Sequence, residues 1–318
     1  DSFKESLSAK QVAESLKKGF QEGLPNATFD LLPIGDGGEG TMDTLAGVLD
    51  LTEYQTQVTG PFGQPVSVSY YQKDQMAFFE MASLVGLGSI PAEKRNPLEL
   101  ETRGIGELIL QLVGQGVKTL CVGIGGSATN DGGIGMAAGL GVAFYDEQGH
   151  LLRPVGASLG RVARIDTSAV PEALQDIDLQ VLTDVTNLLC GSQGATYIFG
   201  GQKGLNPLLF PSVDQAMQKF YQLVDSRMLT LEGAGAGGGM AAGLVAFAGG
   251  QITSGIEKSL DLIDFDHKVQ TADLVVVGEG RMDKQSLSGK APVGVAKRTP
   301  AGIPVIAICG SLGADLPA

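Results

Sequence analysis

An apolar, β-branched run, Val117-Lys-Thr-Leu-Cys-Val-Gly-Ile124, passes straight into the stretch Gly123-Ile-Gly-Gly-Ser-Ala-Thr-Asn-Asp-Gly-Gly133. The run reads as a buried strand. Glycines at its end leave backbone N–H groups uncovered and permit φ > 0 turns and close approaches that a Cβ would block. Such a loop can wrap an anion, usually a phosphate. Gly125 and Gly126 would supply amides, and Ser127, Asn130 and Asp131 a hydroxyl, a side-chain amide and a carboxylate. A tight strand-to-helix turn without a ligand is the plainer reading of one such loop, but the arrangement recurs along the chain.

Residues 29–34 read as a strand running into Gly35-Asp-Gly-Gly-Glu-Gly40. Residues 179–182 lead to Asp184-Val-Thr-Asn187, and 272–277 to Gly278-Glu-Gly-Arg-Met-Asp283. Residues 304–309 lead to Gly310-Ser-Leu-Gly313. Further strands are expected at 66–70, 76–81 and 140–145. Ser8-Ala-Lys-Gln11 fits a capping box ahead of a helix with Val12, Leu16 and Phe20 on one face. Thr41 to Leu49, and Ile105, Leu108, Ile109, Leu112 and Val113, have helical spacing. Ser212-Val-Asp-Gln215 is a second capping-box candidate, before Val213, Met217, Phe220 and Val224. Apolar strands alternating with helices define an α/β fold with a parallel or mixed sheet covered on both faces. Ligands of such sheets bind beyond the carboxyl ends of the strands, where these loops fall.

The 47 glycines, about twice the usual ~7% share, cluster after apolar runs. A net charge of −13 argues against nucleic acid as a partner, because binding a phosphate backbone needs a basic face. No apolar stretch reaches the ~18–20 residues that span a bilayer. No signal peptide is visible, and the chain opens at Asp1 without a methionine. Cys121, Cys190 and Cys309 sit in apolar runs and read as free thiols of a reducing, cytoplasmic compartment. Neither His150 nor His267 joins a zinc-ligand spacing or a nucleophile elbow.

Several acidic residues fall at expected strand ends. Asp36 and Glu39 could hold Mg²⁺ or bind a substrate hydroxyl, the alternative being a solvated acidic turn. Glu279, Arg281 and Asp283 are expected to crowd at one strand end. Arg281 would bind a carboxylate or phosphate, and Asp283 or Glu279 would ligate metal or accept a proton. A structural ion-pair network is the alternative. Asp184 is a candidate base or metal ligand and Asn187 an orienting amide, against a simple Asx-turn. Gly233-Ala-Gly-Ala-Gly-Gly-Gly239 contains a G-x-G-x-x-G match that close helix packing would equally explain. No G-x-x-x-x-G-K-[ST] occurs, which disfavours a P-loop enzyme.

Taken together, these loops resemble the bacterial glycerate kinase family, distinct from the animal enzymes. The resemblance covers nearly the whole chain. It is carried by Asp1-Ser-Phe-Lys-Glu-Ser-Leu-Ser-Ala9, Asp36-Gly-Gly-Glu-Gly40, Thr59-Gly-Pro61 and Pro91-Ala-Glu-Lys-Arg95. Residues 123–133, Asp184-Val-Thr-Asn187, Phe199-Gly-Gly-Gln-Lys-Gly204 and Gly278-Glu-Gly-Arg-Met-Asp283 complete it. Gly201 and Leu188 stand where that family usually has proline. The family also normally begins with a short apolar strand before Asp1 and extends beyond Ala318. The segments near 225–227 and 298–300 are a few residues short for it.

The resemblance implies ATP-dependent phosphorylation of D-glycerate with Mg²⁺, the 2-phosphate favoured over the 3-phosphate. It implies a flavodoxin-like parallel-sheet domain (1–55 and 256–318) and a second, restriction-enzyme-like α/β domain (56–255), with the cleft between them. Gly125, Gly126, Ser127, Asn130, Asp131 and Lys203 would bind ATP. Asp1, Ser2, Lys4, Asp36, Glu39 and Arg281 would bind glycerate. Asp36, Asp184, Glu279 and Asp283 would hold the metal, while Asp184, Asp283, Arg281 and Lys4 would act in catalysis. The partners expected are D-glycerate and ATP, with neither nucleic acid nor membrane, for a monomer or homodimer. A dinucleotide-dependent oxidoreductase is the rival enzyme reading, with Gly123-Ile-Gly-Gly-Ser-Ala128 on the pyrophosphate and Asp146 on a ribose. A small-anion sensor without turnover is the rival outside enzymes, disfavoured by so many acidic groups at strand ends.

Overall fold

A computed structural model of the chain describes residues 3, 6–35, 40–282 and 291–313. The candidates Asp1, Ser2, Lys4, Asp36, Glu39 and Asp283 lie outside these residues. The chain divides into two compact units, residues 1–51 with 253–318, and residues 52–252.

The first segment of unit one carries helices α1 (Ala9–Gly23) and α2 (Thr41–Leu49). The Ser8 capping box forms as the sequence predicts: Ser8 Oγ accepts from Gln11 N, and Gln11 Oε1 accepts from Ser8 N at 2.9 Å. Residues 29–34 form no strand. Pro33 has no N–H for a ladder, and no described strand pairs with them.

Unit two is built on a mixed six-stranded sheet. Strands β1 (Thr52–Thr59), β2 (Pro65–Lys73) and β3 (Met76–Glu80) pair antiparallel. After helices α3 (Ala82–Val85) and α4 (Arg103–Gly114), β4 (Thr119–Gly123) pairs parallel with β3. Helix α5 (Ile134–Gly139), the hairpin β5 (Ala143–Tyr145) and β6 (Arg164–Asp166), and β7 (Asp178–Leu182) follow, β7 pairing parallel with β4. Helices α6 (Ala195–Phe199), α7 (Phe210–Val224) and α8 (Ala236–Ala248) and strand β8 (Gln251–Thr253) complete the run. The sheet order is β1-β2-β3-β4-β7-β8.

Ile105, Leu108, Ile109 and Leu112 of α4 share one core with Leu120 and Val122 of β4 and Met240 and Leu244 of α8. Met217, Phe220 and Tyr221 of α7 join a second core with Ile134, Ala137 and Phe144. Helix α7 starts at Phe210, ahead of Ser212, so the second capping box does not form. Pro211 supplies the N-terminal signal, and Ser212 Oγ donates to Leu209 O. The strand expected at 140–145 shrinks to β5, because the Leu140 amide closes the end of α5.

The chain returns to unit one through α9 (Gly255–Leu262), α10 (Phe265–Val269), β9 (Val275–Met282), α11 (Ala291–Arg298) and β10 (Val305–Leu312). β9 and β10 pair parallel from Val275↔Val305 to Met282↔Leu312. Residues 278–282 and 310–312, expected as loops, are therefore strand. Ladder pairing claims their backbone groups, and glycine does not prevent it.

Helices α4 and α5 cross at two glycines. A Cβ on Gly106 would collide with Met136 O and approach the backbone of Gly139 and Leu140. Gly106→Ala is expected to destabilise unit two by about 1–3 kcal/mol. Exposed Gly114, with nothing near its missing Cβ, is the control: Gly114→Ala should be neutral or stabilise by up to about 1 kcal/mol. Urea unfolding of the two variants measures both effects.

Candidate active site

The carboxyl ends of β3, β4 and β7 lie side by side, with Glu80 opposite Gly123 and Gly123 opposite Leu182. The residues that follow β4 and β7, 124–133 and 183–187, therefore leave the same edge of the sheet. This is where parallel strands place their ligands.

The loop after β4 rises to an exposed tip at Gly126, which holds φ +70°, and then turns inward. A second segment pins it. Leu87 N donates to Gly126 O at 2.9 Å, and Ala128 N donates to Val85 O at 2.8 Å. Arg95 steadies that segment from Nε to Ile90 O and Nη2 to Leu87 O. Among the described residues, the amides of Gly125 and Gly126 meet no acceptor, and these two residues form a hydrogen-bonded turn that leads into Ser127. Open N–H groups on a glycine turn can receive an anion.

Lys203 lies under this tip, on a 3₁₀ turn (Gly201–Lys203), only 3% exposed. Its Nζ donates to Ser127 Oγ at 2.8 Å and to Thr129 O at 2.7 Å. Burial pushes the ammonium pKa down to about 7, opposed by the charge of Asp131. Gly204, at φ +92°, ends the turn against the Arg95 backbone.

Asn130 and Asp131 point into the protein. Asp131 is fully buried and braces the start of α5. It accepts from Thr102 Oγ1 at 2.6 Å, Gly133 N at 3.0 Å and Gly135 N at 3.3 Å. Burial raises its pKa, and these hydrogen bonds and Lys203 pull it back. Asn130 Nδ2 donates to Thr196 Oγ1 at 3.0 Å. The structure thus gives both residues bracing contacts and leaves the exposed rim to Gly125 and Gly126. Thr129 Oγ1 and Asn130 Oδ1 are buried without a protein partner.

Asp184 follows β7 and is partly exposed. The local turn belongs to Thr183, whose Oγ1 accepts from Val185 N at 3.1 Å. Asn187 Nδ2 donates to Gln193 O at 2.8 Å, so its side-chain amide steadies its own loop. Glu80, 8% exposed at the end of β3, shares this edge and was not singled out from sequence. Its signal was a carboxylate closing the apolar run Met76-Ala-Phe-Phe-Glu80.

In unit one, Glu279 and Arg281 lie on β9 opposite Cys309 and Ser311, and alternation puts both on one face of the pair. Glu279 is buried and Arg281 exposed.

The oxidoreductase reading fails on geometry. Asp146 accepts from Gln148 N and His150 N at 3.0 and 2.9 Å, and its other oxygen faces Arg161. β5 pairs only with β6, antiparallel and outside the main sheet. No helix follows β4 until Ile134. The Gly237–Gly239 run is not a nucleotide fingerprint either. All three residues have positive φ, and a Cβ on Gly238 would strike Thr129 O. The run packs against the β4 loop.

Fold and site define a class: a mixed α/β protein with a glycine loop of open amides at the carboxyl edge of its parallel strands. A profile of the glycerate kinase family matches residues 1–318. The chain belongs to that family. It is 59% identical over 317 residues to the glycerate kinase of Neisseria meningitidis serogroup B, covering 100% of this chain and 85% of that protein. It is 42% identical to the glycerate 2-kinase of Escherichia coli K12, covering 99% and 85%. A crystal structure from Salmonella typhimurium LT2, assigned as glycerate kinase 2, superposes with a TM-score of 0.86 at 41% identity, covering 98% of this chain and 85% of that one.

Two stability measurements test the site's bracing. Thr102→Val leaves Asp131 Oδ2 and Met136 N short of a partner and should cost about 1–3 kcal/mol in urea unfolding. Lys203 binds its proton less tightly folded than unfolded, so unfolding takes up a proton between pH 7 and about 10. Stability from this group therefore rises with pH across that window. Wild type should gain on Lys203→Met by about 1 kcal/mol per pH unit there, measured by unfolding at stepped pH.

Proposed function

We propose that this chain transfers the γ-phosphoryl group of ATP to the 2-hydroxyl of D-glycerate, forming 2-phosphoglycerate and ADP. The observation that supports the reading is the glycine turn, whose Gly125 and Gly126 amides meet no acceptor among the described residues, with Lys203 on the Ser127 hydroxyl, in a chain of the glycerate kinase family. The 2-position follows the name of the Escherichia coli relative.

Phosphoryl transfer asks a protein for positioning and charge neutralisation more than for covalent chemistry. The Gly125 and Gly126 amides and the Ser127 hydroxyl hold phosphate oxygens of ATP, and Gly126 lets the backbone approach them. Asp184 accepts the proton of the glycerate 2-hydroxyl as its oxygen bonds to the γ-phosphorus and the bond to the bridging oxygen of ADP breaks. Arg281 is the described cation of unit one assigned to the glycerate carboxylate, a bidentate task suited to a guanidinium.

Mg²⁺ suits the donor types available. Its preferred ligands are hard oxygens, often one or two carboxylates beside phosphates and waters. Among the described residues no three His, Cys, Asp or Glu side chains gather. Glu279, with Asp36 and Asp283 outside the described residues, would hold the ion. Bound there, it would neutralise phosphate charge.

Unit one is assigned as the flavodoxin-like domain, on the support of the parallel crossover β9-α11-β10. Unit two is assigned as the second α/β domain. Among the described residues no helix is long and apolar enough to cross a membrane. Among the described residues Cys121, Cys190 and Cys309 form no disulfide, which suits a cytoplasmic setting.

ADP release coupled to D-glycerate and ATP tests the reading, and ³¹P NMR identifies the product. Glycerate-dependent turnover giving the 2-phosphate is expected. ATP binding with no glycerate turnover would favour the anion-sensor reading. Asp184→Asn should lower kcat by about 10²–10⁴-fold while ATP affinity holds within a few-fold, because a general base acts on the acceptor.

A further inference from the structure

A lysine ammonium has three donors and no acceptor. Wherever Lys203 Nζ meets Ser127 Oγ in its charged form, the serine oxygen must therefore accept, at 2.8 Å here. That contact fixes the direction of the hydroxyl. Its own proton cannot point back at the ammonium, and no described residue accepts it. The Gly125 and Gly126 amides, which meet no acceptor among the described residues, immediately precede Ser127 in the loop.

We propose that Lys203 is a positioning residue for the phosphoryl donor: from beneath the loop it commits the Ser127 hydroxyl proton away from the ammonium, as a further donor on the phosphate that the Gly125 and Gly126 amides receive. The inference rests on the reading of the 125–127 loop as the ATP phosphate site. It assigns Lys203 an action through Ser127, at a lysine 3% exposed.

The arrangement depends on protonation. Neutral Lys203 can accept from the Ser127 hydroxyl, which reverses the bond and withdraws that donor. Burial brings that change to about pH 7. Among the described residues, Asp131 is the charge that acts on the lysine, and it favours the charged form. Arg95, beside Gly204, spends its guanidinium on the Leu87 and Ile90 carbonyls. Tyr221 on α7 stays neutral, its hydroxyl donating to Gly132 O with its pKa pushed well above the usual phenol value by burial. A bound phosphate adds negative charge and restores the proton, so ATP binding above pH 7 should take a proton up.

Calorimetric titration of wild type, Ser127→Ala and Lys203→Met with ATP, from pH 6 to pH 9 in buffers of different ionisation enthalpy, tests this. Wild-type affinity should fall about tenfold from pH 6.5 to pH 8.5, with proton uptake on binding at the higher pH. Ser127→Ala should bind about tenfold more weakly at pH 6.5 and lose most of the pH dependence. Lys203→Met should lose both the dependence and the proton uptake, while KM for glycerate stays within twofold. A pH dependence undiminished in Ser127→Ala overturns the proposal, because Lys203 would then act by its charge alone. Wild-type ATP affinity retained in both variants overturns it too, and moves the phosphate site elsewhere. Glycerate-dependent turnover by the wild type, measured alongside, separates either failure from failure of the kinase reading.

Discussion

The buried Asp131 carboxylate is the constraint on which the candidate site depends. It gathers Thr102 from the start of α4 and the Gly133 and Gly135 amides from the start of α5. Thr102 in turn accepts from Met136 N, so one hydroxyl and one carboxylate lock two helices to the loop between β4 and α5. A carboxylate so far from water is tolerable only with its lone pairs filled and a cation nearby. Lys203 is that cation. The same ammonium that offsets Asp131 also reaches Ser127 and Thr129, which ties the buried end of the loop to its exposed tip.

Packing against this loop explains one cluster of glycines in unit two. The left-handed run Gly237–Gly239 lies on Thr129, Asn130 and Gly132, and Gly243 lies on Gly133. A Cβ at Gly239 would sit 2.7 Å from Gly132 Cα, which no side-chain rotation relieves. Tyr221 adds a 2.6 Å hydrogen bond to Gly132 O from α7. Backbone against backbone leaves the loop little room to relax, and preorganised amides serve an anion better than amides that must first be ordered.

Much of this was legible in the sequence where signals were local. The strand before Gly123, the apolar face of α4 and the Ser8 capping box depend on nearest neighbours, and each forms. Signals whose meaning depends on a partner strand were misread. Residues 278–282 and 310–312 look like glycine loops, yet they ladder with each other as β9 and β10. Residues 29–34 look like a strand and find no described partner. Side-chain direction was the other gap. Nothing in the order Ser127-Ala-Thr-Asn-Asp131 says that the last two turn inward, or that a lysine 76 positions from Ser127 meets its hydroxyl.

The acidity of the chain shapes what kind of phosphate site it can hold. At a net charge of −13, long-range attraction does not draw in a polyanion, so recognition must come from short-range donors. Backbone amides meet that need because they carry no side-chain entropy and cannot be neutralised by a neighbouring carboxylate. On the proposed reading, one buried lysine adds to them through the Ser127 hydroxyl, where a cluster of surface lysines would serve elsewhere. The same burial lowers its proton affinity. A site economical in cations is therefore also sensitive to pH.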